Sequence, residues 1–286
     1  MTTFDPADLL MHGLHLGHQK NKIHPKAQKF IHSYQKGTSI IDLFQTAEKL
    51  TAAVEYVKTL SEEGKSLMVV ATKKVARKPV SELCAENNIP YMTNKWVAGL
   101  MTNFQEVSLN IKKMNDLKIA QEVNQFGDLP KHERIQLEKK LNKITSIYGG
   151  VAKVEKLPDA VFIIDIKKER NALKEAIQSG IPTIAIVDTN VSAEGVTYPI
   201  PANDDAVTSV TFIMEAIADA FVGKKSKKPT PVVEKAAEVE VAKSEEKAEA
   251  APVKEKEVKK APAKVKAAPK EKAVAMPKAA KAKAKK

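Results

Sequence analysis

The chain has 286 residues, a formal net charge of +12 and a single cysteine. The lone Cys84 excludes an intramolecular disulfide, and we expect it to be a small buried apolar residue rather than a nucleophile. No stretch approaches the roughly 18 continuous apolar residues of a membrane helix, and the first residues lack a signal-peptide pattern. We therefore expect a cytoplasmic protein without a membrane partner.

The positive charge is unevenly distributed along the chain. Residues 224–286 contain 20 lysines and 9 acidic residues, whereas residues 1–223 contain 27 basic and 26 acidic residues. A polyanion-binding surface on residues 1–223 must therefore come from segregated charge rather than from excess charge. Residues 224–286 are rich in Lys, Ala, Glu, Val and Pro without any aromatic residue, so we expect a disordered tail with unselective affinity for polyanions.

The N-terminal region opens with a predicted helix over residues 6–12, in which Asp5 is the N-cap and Pro6 the first helical residue. A block without acidic residues lies between Asp8 and Asp42. It contains five of the six histidines and five lysines: His12, His15, His18, His24, His32, Lys20, Lys22, Lys26, Lys29 and Lys36. The histidines suggest a metal site, whereas lysines without carboxylates suggest phosphate binding.

The following segments alternate between helix-period patterns and apolar runs, which favours a mostly parallel sheet covered on both faces. Helices are predicted over residues 46–63, 74–87, 168–178 and 203–222, and strands over 66–71, 90–93, 160–165 and 181–187. The fold class is therefore α/β, with a Rossmann-like or flavodoxin-like sheet. Pro79 predicts a late start or a kink in its helix.

Residues 103–147 depart from this alternation. Two charged, helix-period segments, 103–123 and 131–147, are joined by a connection in which Gly127 and Pro130 break the helix. Their apolar positions predict an antiparallel coiled-coil hairpin that projects from the sheet. We therefore expect an α/β domain formed by residues 1–102 and 148–223, a helical hairpin over 103–147, and the tail 224–286.

The candidate sites in the sequence are basic clusters rather than metal or catalytic sites. A metal site is not expected, because the nearest acidic residues in sequence are Asp8 and Asp42 and no carboxylate is available to orient the imidazoles. A second basic cluster follows the strand at 66–71 and lacks the glycines of a nucleotide cradle, so it is suited to a polyphosphate backbone. Its members are Lys73, Lys74, Arg77 and Lys78. Nothing in the sequence forms a catalytic set, and Asp204 and Asp205 are interpreted as partners of a helix dipole.

Several spaced motifs resemble the bacterial ribosomal protein S2 family of the small subunit. They are His12–His18 with Pro25–Lys26, Lys95–Asn103, Leu157–Asp165 with Glu169, Glu175–Ala176, Gly180–Pro182, Ile186–Asn190 and Ile200–Ala206. The chain departs from the family at Lys95, where an arginine is common, and in its long tail.

The resemblance implies a protein without enzymatic activity, cofactor or small-molecule substrate. It implies small-subunit ribosomal RNA and neighbouring ribosomal proteins, including ribosomal protein S1, as partners. Together with the basic clusters, it leads us to expect RNA contacts at His15, His18, Lys20, Lys22, Lys26, Lys29, Lys73, Lys74, Arg77, Lys78, Lys95, Thr102 and Asn103. Two alternatives stay open at this stage: an α/β enzyme acting on a phosphorylated metabolite, and a nucleoid-associated protein that acts through its basic tail.

Overall fold

The computed structural model describes residues 4–123 and 130–223. Its central feature is a five-stranded sheet in which every neighbouring pair is parallel. The strands are β4 (Leu67–Val70), β5 (Tyr91–Met92), β6 (Ala160–Ile163), β7 (Thr183–Val187) and β8 (Tyr198–Pro201), in the spatial order β5-β4-β6-β7-β8. This is the flavodoxin-like order, in which the chain reverses direction across the sheet between β4 and β6. The predicted α/β class is confirmed.

Helices cover both faces of the sheet. On one face lie α1 (Pro6–Met11), α2 (Leu43–Glu62), α3 (Lys74–Glu86) and α7 (Val207–Val222). On the other lie α6 (Arg170–Gln178) and the start of α4 (Phe104–Glu122). Alternate residues of each strand enter the two cores: Leu67 and Val69 pack on the α2 side, and Met68 and Val70 on the α6 side. Burial on both faces explains why these strands are continuous apolar runs.

A second, antiparallel sheet was not predicted. It consists of β1 (Leu16–Gln19), β2 (Ile31–Gln35) and β3 (Thr38–Ile41), in the order β1-β3-β2. His18 and His32 of the block lie on these strands, and its lysines lie in the connections between them. These strands mix polar and half-buried residues and contain register shifts, so they lack a regular alternation of apolar residues. Backbone bonds from His24 N to Thr189 O and from Asn203 N to Leu14 O join this region to the ends of the parallel strands.

The two predicted hairpin helices are present as α4 and α5 (Lys131–Tyr148). Apolar residues of α4 near the sheet, Val107, Ile111 and Met114, are buried, and on α5 the buried residue is Leu141. Ile135, one of the apolar positions of α5 on which the hairpin prediction rests, is 36% exposed. The connection containing Gly127 lies outside the described residues, and coiled-coil geometry stays a prediction.

Element boundaries differ from the predictions at a few positions. Helix α2 begins at Leu43 because Asp42 caps it through Phe44 N, and α7 begins only at Val207. Helix α3 begins at Lys74 and includes Pro79, so it does not start late. Cys84 is fully buried, and burial raises the pKa of its thiol to about 12, in agreement with an inert core residue. The tail 224–286 lies outside the described residues, and within them no helix is long and apolar enough to cross a membrane.

Gly17 on β1 allows the small sheet to approach the main one. A Cβ added there would lie 2.5 Å from Ser39 Oγ and 2.7 Å from Thr189 Cγ2. Glycine is therefore required here because a side chain would not fit, and not because of the backbone conformation.

We expect Gly17→Ala to lower the free energy of unfolding by about 1 to 3 kcal/mol, because the methyl group overpacks this contact. Urea denaturation measures the change. Gly149→Ala is the matched control, since its added Cβ would lie 3.7 Å from Thr145 Cγ2, an ordinary contact. Equal stability of the two variants would contradict the steric role of Gly17.

Candidate nucleic-acid interface

The carboxyl ends of the parallel strands form one polar edge of the sheet. Lys73 follows β4, Asp165 follows β6, Asp188 follows β7, and Asp204 and Asp205 follow β8. In open α/β sheets this edge, at the point where the strand order reverses, is where ligands usually bind. Here the edge is filled by the protein's own charged side chains.

Lys73 is the centre of that edge. Its Nζ lies 2.8 Å from Asp204 Oδ1, 2.7 Å from Asp205 Oδ1 and 3.6 Å from Asp165 Oδ2. The lysine side chain is only 16% exposed and that of Asp204 only 2%. Lys73 was expected to contact RNA, but its ammonium group is engaged within the domain. The acid-free appearance of this cluster in sequence comes from acidic partners that lie about a hundred residues or more away.

The electrostatics of this group follow from burial and mutual contact. Burial opposes the charged form of Lys73, but hydrogen bonds to Asp204 and Asp205 outweigh it and raise the lysine pKa. Burial, together with the charge of Asp188, raises the pKa of Asp204 to about 7. The hydrogen bond from Lys73 lowers the pKa of the more exposed Asp205. Asp204 and Asp205, predicted to be partners of a helix dipole, lie just before α7, which begins at Val207, and both also bind Lys73.

His18 joins the small sheet to the same edge. Its Nδ1 lies 2.9 Å from Asp188 Oδ2, and its Nε2 lies 3.6 Å from Asp205 Oδ2 and 2.9 Å from Asn190 Nδ2. The hydrogen bond to Asp188 raises the pKa of His18 despite partial burial. The backbone N–H of His18 also donates to Thr189 Oγ1 at 2.9 Å. His18 was expected to contact RNA, and it lies instead in an internal contact between elements.

The other histidines of the block do not gather around one point. His12 lies against the Phe212 ring, with centroids 4.7 Å apart, and His24 Nδ1 accepts a hydrogen bond from Lys26 N. Burial lowers the pKa of His15, whose Nδ1 has no hydrogen-bond partner in the described part of the chain. These placements agree with packing and hydrogen bonding as the main roles of the histidines.

Tertiary structure does supply the carboxylates that the metal interpretation lacked. Ligand atoms of His18, Asp188 and Asp205 lie within 4.8 Å of one another, and these residue types are ones that bind zinc. Carboxylates distant in sequence thus lie beside His18, although Asp8 and Asp42 are the nearest acids in the chain. The Lys73 ammonium group contacts Oδ1 of Asp205, the other oxygen from the one nearest His18, and so places a positive charge next to these three residues. The prediction of no metal site stays a prediction.

Most other predicted contact residues are on the surface. Lys20, Lys22, Lys26, Lys29, Lys74, Lys78, Lys95, Thr102 and Asn103 are exposed. Lys26 forms an ion pair with Glu194, and Lys20 lies over the Tyr34 ring. Arg77 is half-buried and donates to the carbonyl oxygens of Thr72 and Asn94, so it fixes the loop after β5.

The loop after β5 is held by Glu175, a residue to which the sequence pattern gave no role. Glu175 on α6 accepts hydrogen bonds from Trp96 Nε1 at 3.0 Å, from Gly99 N at 3.0 Å and from Met101 N at 3.3 Å. Trp96 is 8% exposed and packs in the core on that face. A carboxylate on a predicted helix gave no local signal of this role, because its three partners lie more than seventy residues earlier.

A group of cations on and before α6 was also missed. Lys167, Arg170 and Lys174 are exposed and line a cleft of about 540 Å³, opposite residues 190–194. We call this the α6 cleft. The four-residue spacing of Arg170 and Lys174 on the predicted helix 168–178 was a usable signal, since it places both side chains on one face.

These features define a class of protein. It is a flavodoxin-like α/β protein in which internal ion pairs occupy the usual ligand-binding edge, with exposed cations around that edge. Residues 9–224 match the family model described as Ribosomal protein S2, and the chain belongs to this family. The family consists of structural, non-enzymatic proteins of the small ribosomal subunit, so a ribosomal location in the cytoplasm follows from membership.

Curated relatives agree with the family model, and each is described as "Small ribosomal subunit protein uS2". The protein of Chlorobium chlorochromatii is 37% identical over 228 residues, which cover 80% of this chain and 91% of the relative. That of Coprothermobacter proteolyticus is 40% identical over 214 residues, covering 75% and 80%. That of Dictyoglomus thermophilum is 41% identical over 217 residues, covering 76% and 88%.

We expect Lys73→Ala to lower the free energy of unfolding by about 3 to 5 kcal/mol, because removal of one partner leaves buried carboxylates without compensation. Lys74→Ala, at the exposed neighbouring position, should change it by no more than about 0.5 kcal/mol. Chemical denaturation of both variants at neutral pH measures the difference. Similar values would show that the Lys73 ion pairs contribute little.

The raised pKa of Asp204 predicts a pH dependence of stability. A carboxyl group with a higher pKa in the folded than in the unfolded state stabilises the fold at low pH, and this contribution is lost as pH rises from about 4 through about 7. Asp204→Asn lacks the titration, so the variant should become more stable relative to wild type across this window. Denaturation curves at several pH values test this, and a constant difference would contradict it.

Proposed function

We propose that the chain is a structural protein of the small subunit that binds ribosomal RNA through cations around the carboxyl-terminal edge of its sheet. The observation that carries the proposal is the separation of two kinds of cation. Lys73 is neutralised internally, whereas Lys20, Lys22 and Lys29 in the block and Lys74 and Lys78 on α3 are exposed. None of these five exposed lysines forms an ion pair within residues 4–123 and 130–223.

Exposed lysines without carboxylate partners are suited to phosphates. Association with RNA releases counterions from the phosphate backbone, and point charges on flexible stems favour backbone contacts over base reading. Lys95, Thr102 and Asn103 extend this surface along the loop held by Glu175 and are proposed as further backbone-positioning donors. His18 and Arg77 support the surface from within through their side-chain contacts, and His15 does so through its backbone carbonyl, which accepts from Ile41 N.

The domain organisation is part of the same proposal. An α/β domain of residues 1–102 and 148–223 would dock on RNA, and residues 103–147 would act as an arm toward RNA and neighbouring proteins. Exposed apolar residues on α4, Leu109 at 56% and Ile119 at 58%, are consistent with a protein contact on the arm. Ribosomal protein S1 is proposed as one neighbour because of the family to which the chain belongs. The tail 224–286 would add unselective affinity.

The alternative of an α/β enzyme acting on a phosphorylated metabolite lacks a free anion site. It required a free basic turn after β4, and the centre of that turn, Lys73, is bound by Asp204 and Asp205. The family assignment agrees, since the family is non-enzymatic.

Sedimentation tests the proposal. We expect the tagged full-length chain to comigrate with small subunits in a low-salt gradient, and a chain ending at residue 223 to do the same. Loss of comigration on deletion of the tail would favour the tail-driven alternative. Failure of the full-length chain to comigrate would refute the proposed function.

Sedimentation at several salt concentrations gives the association constant K for the small subunit and tests whether the exposed lysines contact RNA. The triple variant K20A/K22A/K29A should bind less tightly, and the slope of log K against log salt should fall by about two to three, at about 0.7 to 0.9 per lost phosphate contact. The control K58A/K65A/K156A removes the same charge near the amino-terminal ends of β4 and β6, where Lys58 and Lys65 already pair with Glu62 and Glu63. An unchanged slope in the first variant would assign its lysines to solvent.

A further inference from the structure

The α6 cleft has one strongly cationic wall. Lys167 lies one turn before α6, and Arg170 and Lys174 follow on the same side of the helix. All three are exposed, and within residues 4–123 and 130–223 none of them forms an ion pair. Arg170 is the first residue of α6, at the positive end of the helix dipole, and the acid nearest to it in sequence, the N-cap Glu169, is buried and accepts a hydrogen bond from Thr72.

The opposite wall adds little negative charge. It consists of residues 190–194 and His24, and its one carboxylate, Glu194, is paired with Lys26. Lys26 belongs to the N-terminal basic block, which therefore reaches the rim of the cleft. The cleft as a whole is positive and continuous with the surface proposed above to contact RNA.

The floor of the cleft offers little free apolar surface. Ile166 is 5% exposed and Leu173 is 8% exposed, because both belong to the core on that face of the sheet. Ile177 is 52% exposed, but its Cδ1 lies over Gly195, where an added Cβ would be 2.4 Å away. An amphipathic peptide would bury few apolar groups here, and the lining has no Phe, Tyr or Trp on which a base could stack.

We propose that the α6 cleft binds the phosphate backbone of a ribosomal RNA strand, with Lys167, Arg170 and Lys174 as the contacting cations. This inference rests on the proposed function for the identity of the polyanion. Arg170 and Lys174 are about 6 Å apart along the helix axis, and Lys167 extends the row, so the charges face successive points of one extended polyanion. Arg170 can bind a phosphate through two N–H groups, whereas the lysines act as point charges. Binding is independent of base sequence.

Rebinding to salt-washed small subunits that lack this protein tests whether the cleft binds RNA. The full-length variant K167A/R170A/K174A should rebind with a salt slope reduced by about two to three compared with wild type. The variant K58A/K65A/K156A is again the matched control and should keep the wild-type slope. An unchanged slope in the cleft variant, with circular dichroism showing it folded, overturns the proposal.

A cross-link distinguishes RNA from protein as the occupant. Ser192→Cys places a thiol at the cleft, and Cys84 does not compete for labelling because it is buried and its pKa is raised to about 12. A short photoactivatable reagent on the introduced thiol should form adducts with RNA in rebound subunits. Adducts with a neighbouring protein alone overturn the cleft assignment but leave the proposed function intact. Failure of the wild-type chain to rebind overturns both.

Discussion

The contact of the Lys73 ammonium with Asp165, Asp204 and Asp205 is the interaction on which the polar edge of this protein depends. It joins the ends of β4, β6 and β8, three strands that do not all neighbour one another in the sheet. A buried ion pair of this kind gives modest net stability, because desolvation of the charges offsets much of their attraction. Loss of one member is costly, because it leaves the others buried without compensation.

This network changes what the fold can do. Flavodoxin-like sheets commonly bind a small phosphorylated ligand at the edge where the strand order reverses. Here Lys73 and its carboxylates occupy that position, and Thr72 donates to the buried Glu169 beside it. The edge is therefore occupied by contacts within the domain. A structural, non-enzymatic family is consistent with this use of the fold.

The small N-terminal sheet depends on the same joint. His18 contacts Asp188 and Asp205, and Gly17 allows the close approach that this contact needs. The N-terminal block is thereby fixed next to the parallel sheet with Lys20, Lys22 and Lys29 on its outer side. Residues 1–223 are nearly neutral overall, so a surface of this kind arises from where charges are placed rather than from how many there are.

The sequence by itself determined four of the five parallel strands and their helices, because apolar runs such as 67–70 and helix-period patterns such as 46–60 are local signals of burial. It did not predict β8, whose four residues include two prolines. It also determined the family, through motifs spread along the chain. Only the tertiary structure decided which cations are free. Lys73 and Lys74 are neighbours in sequence, yet one meets carboxylates more than ninety residues away while the other meets solvent. Charge pairing depends on distance in space, and no local pattern records which strand ends the fold brings together.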